Sequence, residues 1–367
     1  MKVAFTNLFK LITDKKKIFY KINSLIKNAN FVGGSEIKSF EKEFSNFLNI
    51  KYCIAVANGT DALEIAIKSL NFPKGSEIIV PNNTWISTAE AVVSNSHKVV
   101  FCDVNLNDYT ICLDDLKKKI TRKTKAIIPV HLYGNPADVQ GIKKIIKNKG
   151  IKIIEDCAQA HGSRVEKKHV GTLGDVGTFS FFPGKNLGGF GDGGAIVTNS
   201  KIIYEYCLRA RNHGAINKYE HFFSGRNSRL DAIQAGVLRV KLRKYYNVLK
   251  KRNYLASLYF KELKNISNLE LFKLSKKKKY SFHQFVIRTD NRDSLIVFLK
   301  KSGIDTMIHY PYMLNELNFF NSSMKMKNSD NLGKKILSLP ISEEHTVKEI
   351  LYVCKKIKLF FKQYNNN

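Results

Sequence analysis

Short apolar runs that alternate with helical patterns constrain the fold of this chain more than any other feature. Five runs of four or five residues are rich in β-branched and other apolar side chains, and they occupy residues 53–57, 77–80, 99–103, 126–130 and 151–154. Stretches with helical character, such as 62–70 and 113–120, lie between them. Strands that alternate with helices form crossover units. We therefore predict an α/β fold with a mostly parallel sheet.

The length of 367 residues exceeds what one small core requires, so we predict a large domain and a smaller one. The expected units are an N-terminal arm at residues 1–30, a large domain at 31–245 and a small C-terminal α+β domain at 246–367. Within the small domain the patterns predict a strand at 282–287, a helix at 292–301, a strand at 306–309 and a helix at 347–362. Disorder is expected only in the asparagine tail at 365–367.

The net charge of +30 raises two possibilities, because a strongly basic chain can bind nucleic acid or an anionic membrane. The lysines are scattered in short groups, such as 15–17, 117–119 and 276–279. No apolar run is long enough to span a bilayer, and the start of the chain lacks the pattern of a signal peptide. We therefore expect no nucleic-acid partner, no membrane partner and a cytoplasmic location. Six cysteines without a C-x-x-C pair or a zinc-like cluster predict reduced thiols and no metal site.

A glycine-rich loop around Lys185 is the strongest candidate for a catalytic site. Two short strand patterns, 178–182 and 195–198, flank it, and glycines follow the lysine at 188, 189, 191, 193 and 194. With 61 Lys and Arg in the chain, a single lysine is usually a solvated surface charge. An apolar hairpin that leads into a flexible loop can instead hold an amine partly desolvated, which lowers the pKa of the amine and makes it nucleophilic. The loop also matches G-x-G-x-x-G at 189–194, but a strand follows rather than a helix, so we do not predict a dinucleotide site.

Polar residues follow several of the predicted strands, where ligands bind in open α/β sheets. Gly59 and Thr60 stand at a helix start, where backbone N–H groups either bind a phosphate or are part of a plain helix cap. Trp85 follows the second strand and is either a ligand contact or a core residue. Asp156 ends the fifth strand, where a buried carboxylate requires a cationic or hydrogen-bonding partner. Alternation along the strand points the neighbouring Glu155 to the opposite face.

Several segments together resemble one known family. Residues 180–195, SFFPGKNLGGFGDGGA, resemble the lysine loop of the DegT/DnrJ/EryC1/StrS sugar aminotransferases. Other segments resemble parts of the same family, in order along the chain: FVGG at 31–34, NGTDAL at 58–63, HLYG at 131–134, EDCAQAHG at 155–162, RNSRLDAIQA at 226–235 and HYP at 309–311. The resemblance implies the aspartate aminotransferase-like fold type I of transferases that depend on pyridoxal 5'-phosphate (PLP).

The resemblance also implies a role for each candidate at the cofactor. Lys185 would bind PLP covalently, and Asp156 would keep the nitrogen of the pyridine ring protonated, so that the ring accepts electrons. The other implied contacts are Trp85 stacked on the ring, Gln159 at the phenolic oxygen, and Gly59, Thr60 and Ser180 at the phosphate. These residues form the predicted cofactor site.

Residues at the edge of the implied site each have a simpler alternative. Asn227 would reach the cofactor phosphate of a partner subunit, which implies a homodimer with shared sites, or it would belong to an ordinary helix cap. His309 and Tyr310 would contact the substrate or serve only in packing. His131 would face the site or be a hydrogen-bonded structural histidine, and we keep it outside the first set of site residues.

The activity that the resemblance implies is a transamination. L-Glutamate would give its amino group to the ketone of a hexose linked to dTDP or UDP, for the synthesis of a lipopolysaccharide O-antigen or a capsule. The loop after Lys185 is similar to that of enzymes that aminate C3 and lacks the ITTGEGG-like continuation frequent in enzymes that aminate C4. A 3-keto sugar is therefore expected, with a 4-keto sugar as the alternative. Dehydratases of the same fold carry histidine in place of the lysine, which argues against that activity, and a basic nucleic-acid-binding protein is the alternative from another class.

Overall fold

The computed structural model describes residues 1–320, 322 and 324–364, so the asparagine tail lies outside the described residues. The helices are, in order, α1 (Lys15–Lys27), α2 (Gly34–Leu48), α3 (Gly59–Ser69), α4 (Ser87–Ser94), α5 (Leu113–Lys119), α6 (Val139–Ile145), α7 (Lys201–Ala210), α8 (Ala232–Leu242), α9 (Tyr245–Leu263), α10 (Arg292–Lys301), α11 (Lys327–Lys335) and α12 (Val347–Tyr364). Short 3-10 helices occupy Leu132–Gly134 and Leu314–Glu316. Among the helices of the described residues, none combines the length and apolar character needed to cross a bilayer.

The strands form one large sheet and two small ones. They are β1 (Tyr52–Val56), β2 (Glu77–Pro81), β3 (Lys98–Cys102), β4 (Thr124–Ile127), β5 (Lys152–Asp156), β6 (Arg164–Val165), β7 (Lys168–His169), β8 (Val176–Ser180), β9 (Gly194–Thr198), β10 (Glu270–Leu271), β11 (Lys278–Lys279), β12 (Phe285–Arg288) and β13 (Ile336–Leu339). The large sheet has seven strands in the order β1-β9-β8-β5-β4-β2-β3, and the small sheets have the orders β10-β12-β13 and β11-β6-β7.

The large sheet is mostly parallel, as the alternation of strands and helices predicts. The pairs β2–β3, β2–β4, β4–β5 and β5–β8 are parallel, whereas β9 is antiparallel to both β1 and β8. β9 reverses direction because a loop without a crossover helix joins it to β8, and such a connection returns the chain antiparallel. The predicted α/β fold is confirmed.

Helices cover both faces of this sheet because its strands carry apolar side chains on both sides. All residues of β2 and β9 are buried. One apolar cluster joins Ile54 and Ile196 of the sheet to helices α3, α4 and α7. A second cluster joins Phe179 of the sheet to α2 and α8, with Phe40 fully buried between them. Buried strands with apolar residues on both faces are typical of parallel sheets covered by helices, and they leave the strand ends as a rigid platform.

The small antiparallel sheet β10-β12-β13 packs against α9, α10 and α12 in a separate apolar cluster that includes Phe285, Leu299 and Ile357. The first residues of the chain join this cluster, because Val3 is buried there and forms a bridge with Ile304. The boundaries of the three predicted units stay a prediction.

The sheet β10-β12-β13 differs from the prediction at both predicted strands. The strand expected at 282–287 is β12, which begins only at Phe285 and ends at Arg288. Helix α10 coincides with the predicted helix, but residues 306–309 form an isolated bridge instead of a strand. Met307 exchanges two backbone hydrogen bonds with Ser338 of β13, at 3.2 and 2.8 Å, and the pairing goes no further. Strand β13 pairs with β12 and was not predicted from the sequence.

Candidate active site

The carboxyl ends of the parallel strands bring the predicted residues to one edge of the large sheet. Trp85 follows β2, Asp156 ends β5 and Lys185 follows β8. These strands run parallel, so their carboxyl ends open on the same side. Strand β1 points the same way as β8, since both are antiparallel to β9, and it leads to Gly59 at the start of α3. The fold therefore places the helix start, the carboxylate and the lysine along one edge.

Lys185 lies partly buried in the loop between β8 and β9. Its backbone N–H donates to the carbonyl of Phe182 at 2.8 Å, which closes a turn at the end of β8. Burial lowers the pKa of the Lys185 ammonium, while the charge of Asp156 acts in the opposite direction. A lowered pKa increases the fraction of neutral, nucleophilic amine at neutral pH. The environment of Lys185 thus differs from that of a solvated surface lysine.

Asp156 and Glu155 have different partners on opposite faces of β5. Asp156 is 5% exposed; its Oδ2 accepts a hydrogen bond from Thr88 Oγ1 at 2.8 Å, and its Oδ1 accepts one from the backbone N–H of Ala158 at 3.0 Å. The Glu155 carboxylate instead accepts three backbone N–H groups from the segment 171–174. The alternation predicted for these two carboxylates is confirmed. Both of these hydrogen-bond donors to Asp156 are neutral, so its carboxylate retains the capacity to pair with a cation.

His131 is a structural histidine. It is fully buried, its Nδ1 accepts the backbone N–H of Ala137 at 2.9 Å, and its Nε2 lies 2.9 Å from Oε2 of Glu155. Because Nδ1 is an acceptor, we assign the proton to Nε2, which donates to Glu155. Cys157 lies in the same group, but burial raises the pKa of its thiol, and the carboxylate is already occupied by backbone donors. We therefore assign these residues to packing, which agrees with the structural alternative for His131.

The start of α3 and the end of β8 form a cradle for an anion. The side chain of Asn58 caps α3 by accepting a backbone N–H of the first turn at 2.8 Å. A Cβ at Gly59 would lie 2.7 Å from Cβ of Ser180, so glycine is what lets the serine approach the helix start. Thr60 Oγ1 donates to Ser87 Oγ at 2.8 Å. Three hydroxyls thus lie beside the unpaired N–H groups at the positive end of a helix, and this donor set fits a phosphate.

Trp85 is a surface residue of the site. It is 57% exposed, which contradicts the core alternative, and its ring centroid lies 5.5 Å from that of Tyr310. The Tyr310 hydroxyl accepts a hydrogen bond from Gln159 Nε2 at 2.9 Å, and burial raises the pKa of that hydroxyl. Gln159 Oε1 accepts the backbone N–H of Tyr133 at 2.7 Å. Since one N–H of Nε2 donates to Tyr310, the second N–H is left for another acceptor. The structure brings Trp85, Gln159 and Tyr310 together.

Two histidines beside the lysine loop are held neutral. Burial, and then the charge of Lys185, lowers the pKa of His309 to about 4, and His309 Nδ1 lies 2.9 Å from Ser338 Oγ. Burial is also the main cause that lowers the pKa of His283, followed by the charge of Lys185. His283 Nδ1 lies 2.9 Å from Oδ1 of Asn186, the residue after the lysine. Neutral imidazoles can hydrogen-bond near Lys185 without adding positive charge.

Three residues near the site, Ser87, Thr88 and His283, were not predicted from the sequence. Ser87 and Thr88 stand in the first turn of α4, where hydroxyls usually read as helix caps. Their position just after Trp85 is the signal that identifies them. The contact between His283 and Asn186 spans 97 residues of sequence, and no local pattern reveals it.

Asn227 lies outside the group at the strand ends. It is exposed, and its backbone forms a bridge with Asn212. The adjacent Ser228 is buried, and its hydroxyl accepts the backbone N–H of Ala57 at 3.2 Å. Within the described part of the chain, no hydrogen bond joins the Asn227 side chain to Lys185 or its neighbours. The contact of Asn227 with a partner subunit stays a prediction.

The chain is similar to proteins of known activity over almost its whole length. Residues 13–358 match the model of the DegT/DnrJ/EryC1/StrS aminotransferase family. A dTDP-3-amino-3,6-dideoxy-alpha-D-galactopyranose transaminase from Aneurinibacillus thermoaerophilus is 37% identical over 348 residues, which cover 94% of this chain and 96% of that protein. A UDP-N-acetyl-3-dehydro-alpha-D-glucosamine 3-aminotransferase from Acidithiobacillus ferrooxidans is 36% identical over 346 residues, 94% of each chain. The X-ray crystal structure of S. venezuelae DesV in complex with a ketimine intermediate has a TM-score of 0.96 and 32% identity over 98% of both chains.

Proposed function

We propose, from the premise that this chain belongs to the DegT/DnrJ/EryC1/StrS aminotransferase family, that it transfers the amino group of L-glutamate to the ketone of a dTDP- or UDP-linked keto-hexose. Enzymes of this family are PLP-dependent aminotransferases, and this chain is one of them. The observation that carries the proposal is the placement of Lys185, with its lowered pKa, at the same edge of the large sheet as the Asp156 carboxylate and the anion cradle of α3.

The residues of the site fit PLP at each of its functional groups. The hydroxyls of Thr60, Ser87 and Ser180, with the first turn of α3, would hold the phosphate. The Asp156 carboxylate would accept a hydrogen bond from the protonated nitrogen of the pyridine ring, which would be its cationic partner. When bound, PLP supplies an electron sink that eases removal of a proton from the carbon next to the transferred nitrogen.

Four further residues would orient the cofactor and the substrate. Gln159 would donate its second N–H to the phenolic oxygen, and Trp85 would cover a face of the ring with its exposed indole. His309 and Tyr310 lie next to this pair and would contact the sugar, His309 as a neutral ring at pH 7. These roles agree with the contacts of the residues within the chain.

Lys185 would have two roles in the reaction. Its amine would first attach the cofactor covalently, because burial favours the neutral nucleophile. Once an amino acid displaces it, the same amine would take the proton from the α carbon of glutamate and return it to the cofactor side. In the second half-reaction it would move a proton in the opposite direction, towards the sugar carbon. A base performs such transfers only within hydrogen-bond reach of the proton.

The ketone would be at C3 of the sugar. The lysine loop is similar to that of C3-aminating enzymes, and the two relatives described above carry names that specify a 3-amino or 3-dehydro sugar. A 4-keto sugar is the second candidate. The product would serve surface-glycan synthesis, such as a lipopolysaccharide O-antigen or a capsule, in the cytoplasm.

A homodimer would complete the site. Asn227 is exposed, and a surface cavity of about 530 Å³ between α2 and α7 is lined by Val32, Ile216, Arg209 and Arg229 among others. Val32 and Ile216 are 55% and 52% exposed, as side chains at an interface are in an isolated subunit. We expect this surface to receive a second copy, so that Asn227 reaches the partner's phosphate cradle.

Mixing two inactive variants tests the shared site. If Asn227 acts across the interface, a heterodimer of Lys185→Ala and Asn227→Ala contains one site with both wild-type residues. Mixing after partial unfolding and refolding should then restore activity that neither variant has alone. If Asn227 acts within its own subunit, the mixture stays inactive, and light scattering would show whether dimers formed.

The visible spectrum of the protein with PLP tests the activity. Wild type should show the absorption band of lysine-bound PLP, glutamate should convert it to the pyridoxamine form, and Lys185→Ala should lack the band. The glutamate-treated enzyme is then mixed with dTDP- and UDP-linked 3-keto and 4-keto hexoses. Return of the band identifies the accepted ketone. Absence of PLP binding by the wild type would refute the proposal, and the net charge of +30 would then direct tests towards salt-dependent DNA binding.

A further inference from the structure

The glycine-rich loop that follows Lys185 is held by two side chains of α8. Gln234 Oε1 accepts the backbone N–H of Phe190 at 2.7 Å, and Lys241 Nζ donates to the carbonyl of Gly188 at 2.7 Å. The two residues lie seven positions apart on α8, which is about two turns, so they face the same side of the helix. The carbonyl of Gly188 and the N–H of Phe190 are therefore both anchored to helix α8.

The spacing of the glycines matches the position of Gln234. A Cβ at Gly189 would lie 2.8 Å from Oε1 of Gln234, and a Cβ at Gly191 would lie 3.0 Å from its Nε2. Both glycines therefore leave room for the side-chain amide against the loop backbone. The G-x-G that resembles a dinucleotide motif is explained by this contact.

The hydrogen bond from Lys241 Nζ to the carbonyl of Gly188 is charge-assisted, and the ammonium is partly buried. Burial lowers the pKa of Lys241, and the charge of Glu343 opposes that shift. The ammonium also lies 5.6 Å from the ring centroid of Phe190, which is 37% exposed. Charge-assisted hydrogen bonds are stronger than neutral ones, so Lys241 is a firm anchor for the loop.

We propose that Gln234 and Lys241 are positioning residues for Lys185, which keep its amine within reach of the transferred proton after the amine has left the cofactor. The inference rests on the proposed function, in which Lys185 moves that proton while it is not covalently held. At that stage only the conformation of its loop fixes the amine. Asn186 anchors the other side of the loop, since its Nδ2 donates to the carbonyl of Ser281 at 2.9 Å. A base that drifts from its position loses the advantage of proximity.

The test measures proton transfer and loop opening separately. For Gln234→Ala and Lys241→Met, stopped-flow absorbance follows the conversion of lysine-bound PLP with L-glutamate and with L-glutamate deuterated at the α carbon. We expect each variant to slow this step about 10-fold, the effect of one lost hydrogen bond on the population of the held loop. The primary isotope effect should rise, and hydrogen exchange of the segment 186–192 should quicken. Lys241→Arg, which keeps a cationic donor, should restore most of the rate.

Matched controls come from the same residue types on other helices. Gln140→Ala on α6 and Lys250→Met on α9 change exposed side chains and should behave as wild type. Wild-type rates and isotope effects in both loop variants would overturn the inference. A lower rate would also overturn the inference if the isotope effect and the hydrogen exchange of the segment 186–192 were unchanged. A smaller fraction of active molecules would explain such a loss of rate.

The design separates this inference from the proposed function. If wild type shows no response to glutamate, the proposed function fails, whereas the exchange of the segment 186–192 still decides whether Gln234 and Lys241 hold the loop. Should Lys241→Met not fold, Gln234→Ala alone decides, since the amide that it removes accepts a backbone N–H of the loop.

Discussion

Replacement of Gly59 with alanine tests the cradle at the start of α3. The new Cβ would lie 2.7 Å from Cβ of Ser180 and 3.3 Å from its Cα. Carbon atoms in ordinary contact are roughly 3.5–4.0 Å apart, so the overlap is close to 1 Å. Rotation of the serine side chain cannot relieve it, because Cβ and Cα move only with the backbone. Strand β8 and helix α3 must therefore move apart.

The expected loss follows from the size of that overlap. Overpacking by one methyl group typically costs about 1–3 kcal/mol, and the better helix propensity of alanine offsets at most about 1 kcal/mol. The net cost is therefore about 0–2 kcal/mol. Since 1.4 kcal/mol is about a factor of ten in an equilibrium constant, and the separated strand and helix form the cradle, we expect the affinity of Gly59→Ala for PLP to fall about 5-fold and at most about 30-fold. Trp85 is the only tryptophan of the chain and lies at the site, so quenching of its fluorescence reports PLP binding directly.

Two companion variants separate the overlap from the hydroxyl. Ser180→Ala removes the hydroxyl but keeps Cβ, so it should weaken binding by a smaller factor. The double variant Gly59→Ala/Ser180→Gly removes the 2.7 Å contact and keeps only the milder one at 3.3 Å to Cα, so it should bind PLP more tightly than Gly59→Ala. If Gly59→Ala binds PLP within twofold of wild type, with unchanged stability of the free protein, the cradle does not hold the phosphate.

Three further predictions concern charge, burial and pH. Asp156→Asn keeps the shape of the side chain but removes its charge, so the glutamate half-reaction should slow about 100-fold or more in stopped-flow absorbance, with PLP still bound. Asn82→Ala removes a buried amide that donates to two side-chain oxygens at 2.7 and 2.9 Å, so urea denaturation should show a loss of about 1–3 kcal/mol, against almost none for the exposed Asn23→Ala. Burial lowers the pKa of His161 to about 3, so the unfolded chain binds the proton first as the pH falls below about 6.5. Stability should therefore be lower at pH 5 than at pH 7, and His161→Gln should shrink that difference in the urea midpoint.

The features that could be predicted from the sequence are those encoded over short stretches. Apolar runs of four or five residues identify strands of the large sheet, because such runs are typical of buried strands, and β2 and β5 are almost entirely buried. The lysine loop is equally local, since its glycines and flanking strands are contiguous. The end of a strand also indicates which residues reach the ligand edge, and Trp85 and Asp156 were found in this way.

The features that could not be predicted depend on contacts between distant segments. The contact of His283 with Asn186 crosses from the small sheet to the lysine loop. In the sequence, Gln234 cannot be distinguished from any other polar residue on a helix, so its contact with the loop is not predicted. Strand β13 is four residues long, and only its position beside β12 makes it a strand. Such contacts depend on how helices and strands pack in three dimensions, and local sequence patterns do not give that packing.

The position of β9 between β1 and β8 has a consequence for how the protein is made. In the large sheet, β1 pairs with β9 alone, and Cys53 meets Val197 across about 140 residues of chain. During synthesis, β1 has no paired strand in the sheet until β9 has emerged from the ribosome. Pairing between segments so far apart in the sequence is slow. The first turn of α3 follows β1 and the lysine loop follows β8, and β9 pairs with both of these strands. Shortened chains that end before residue 194 therefore contain most of the strands but should not gain a cofactor site.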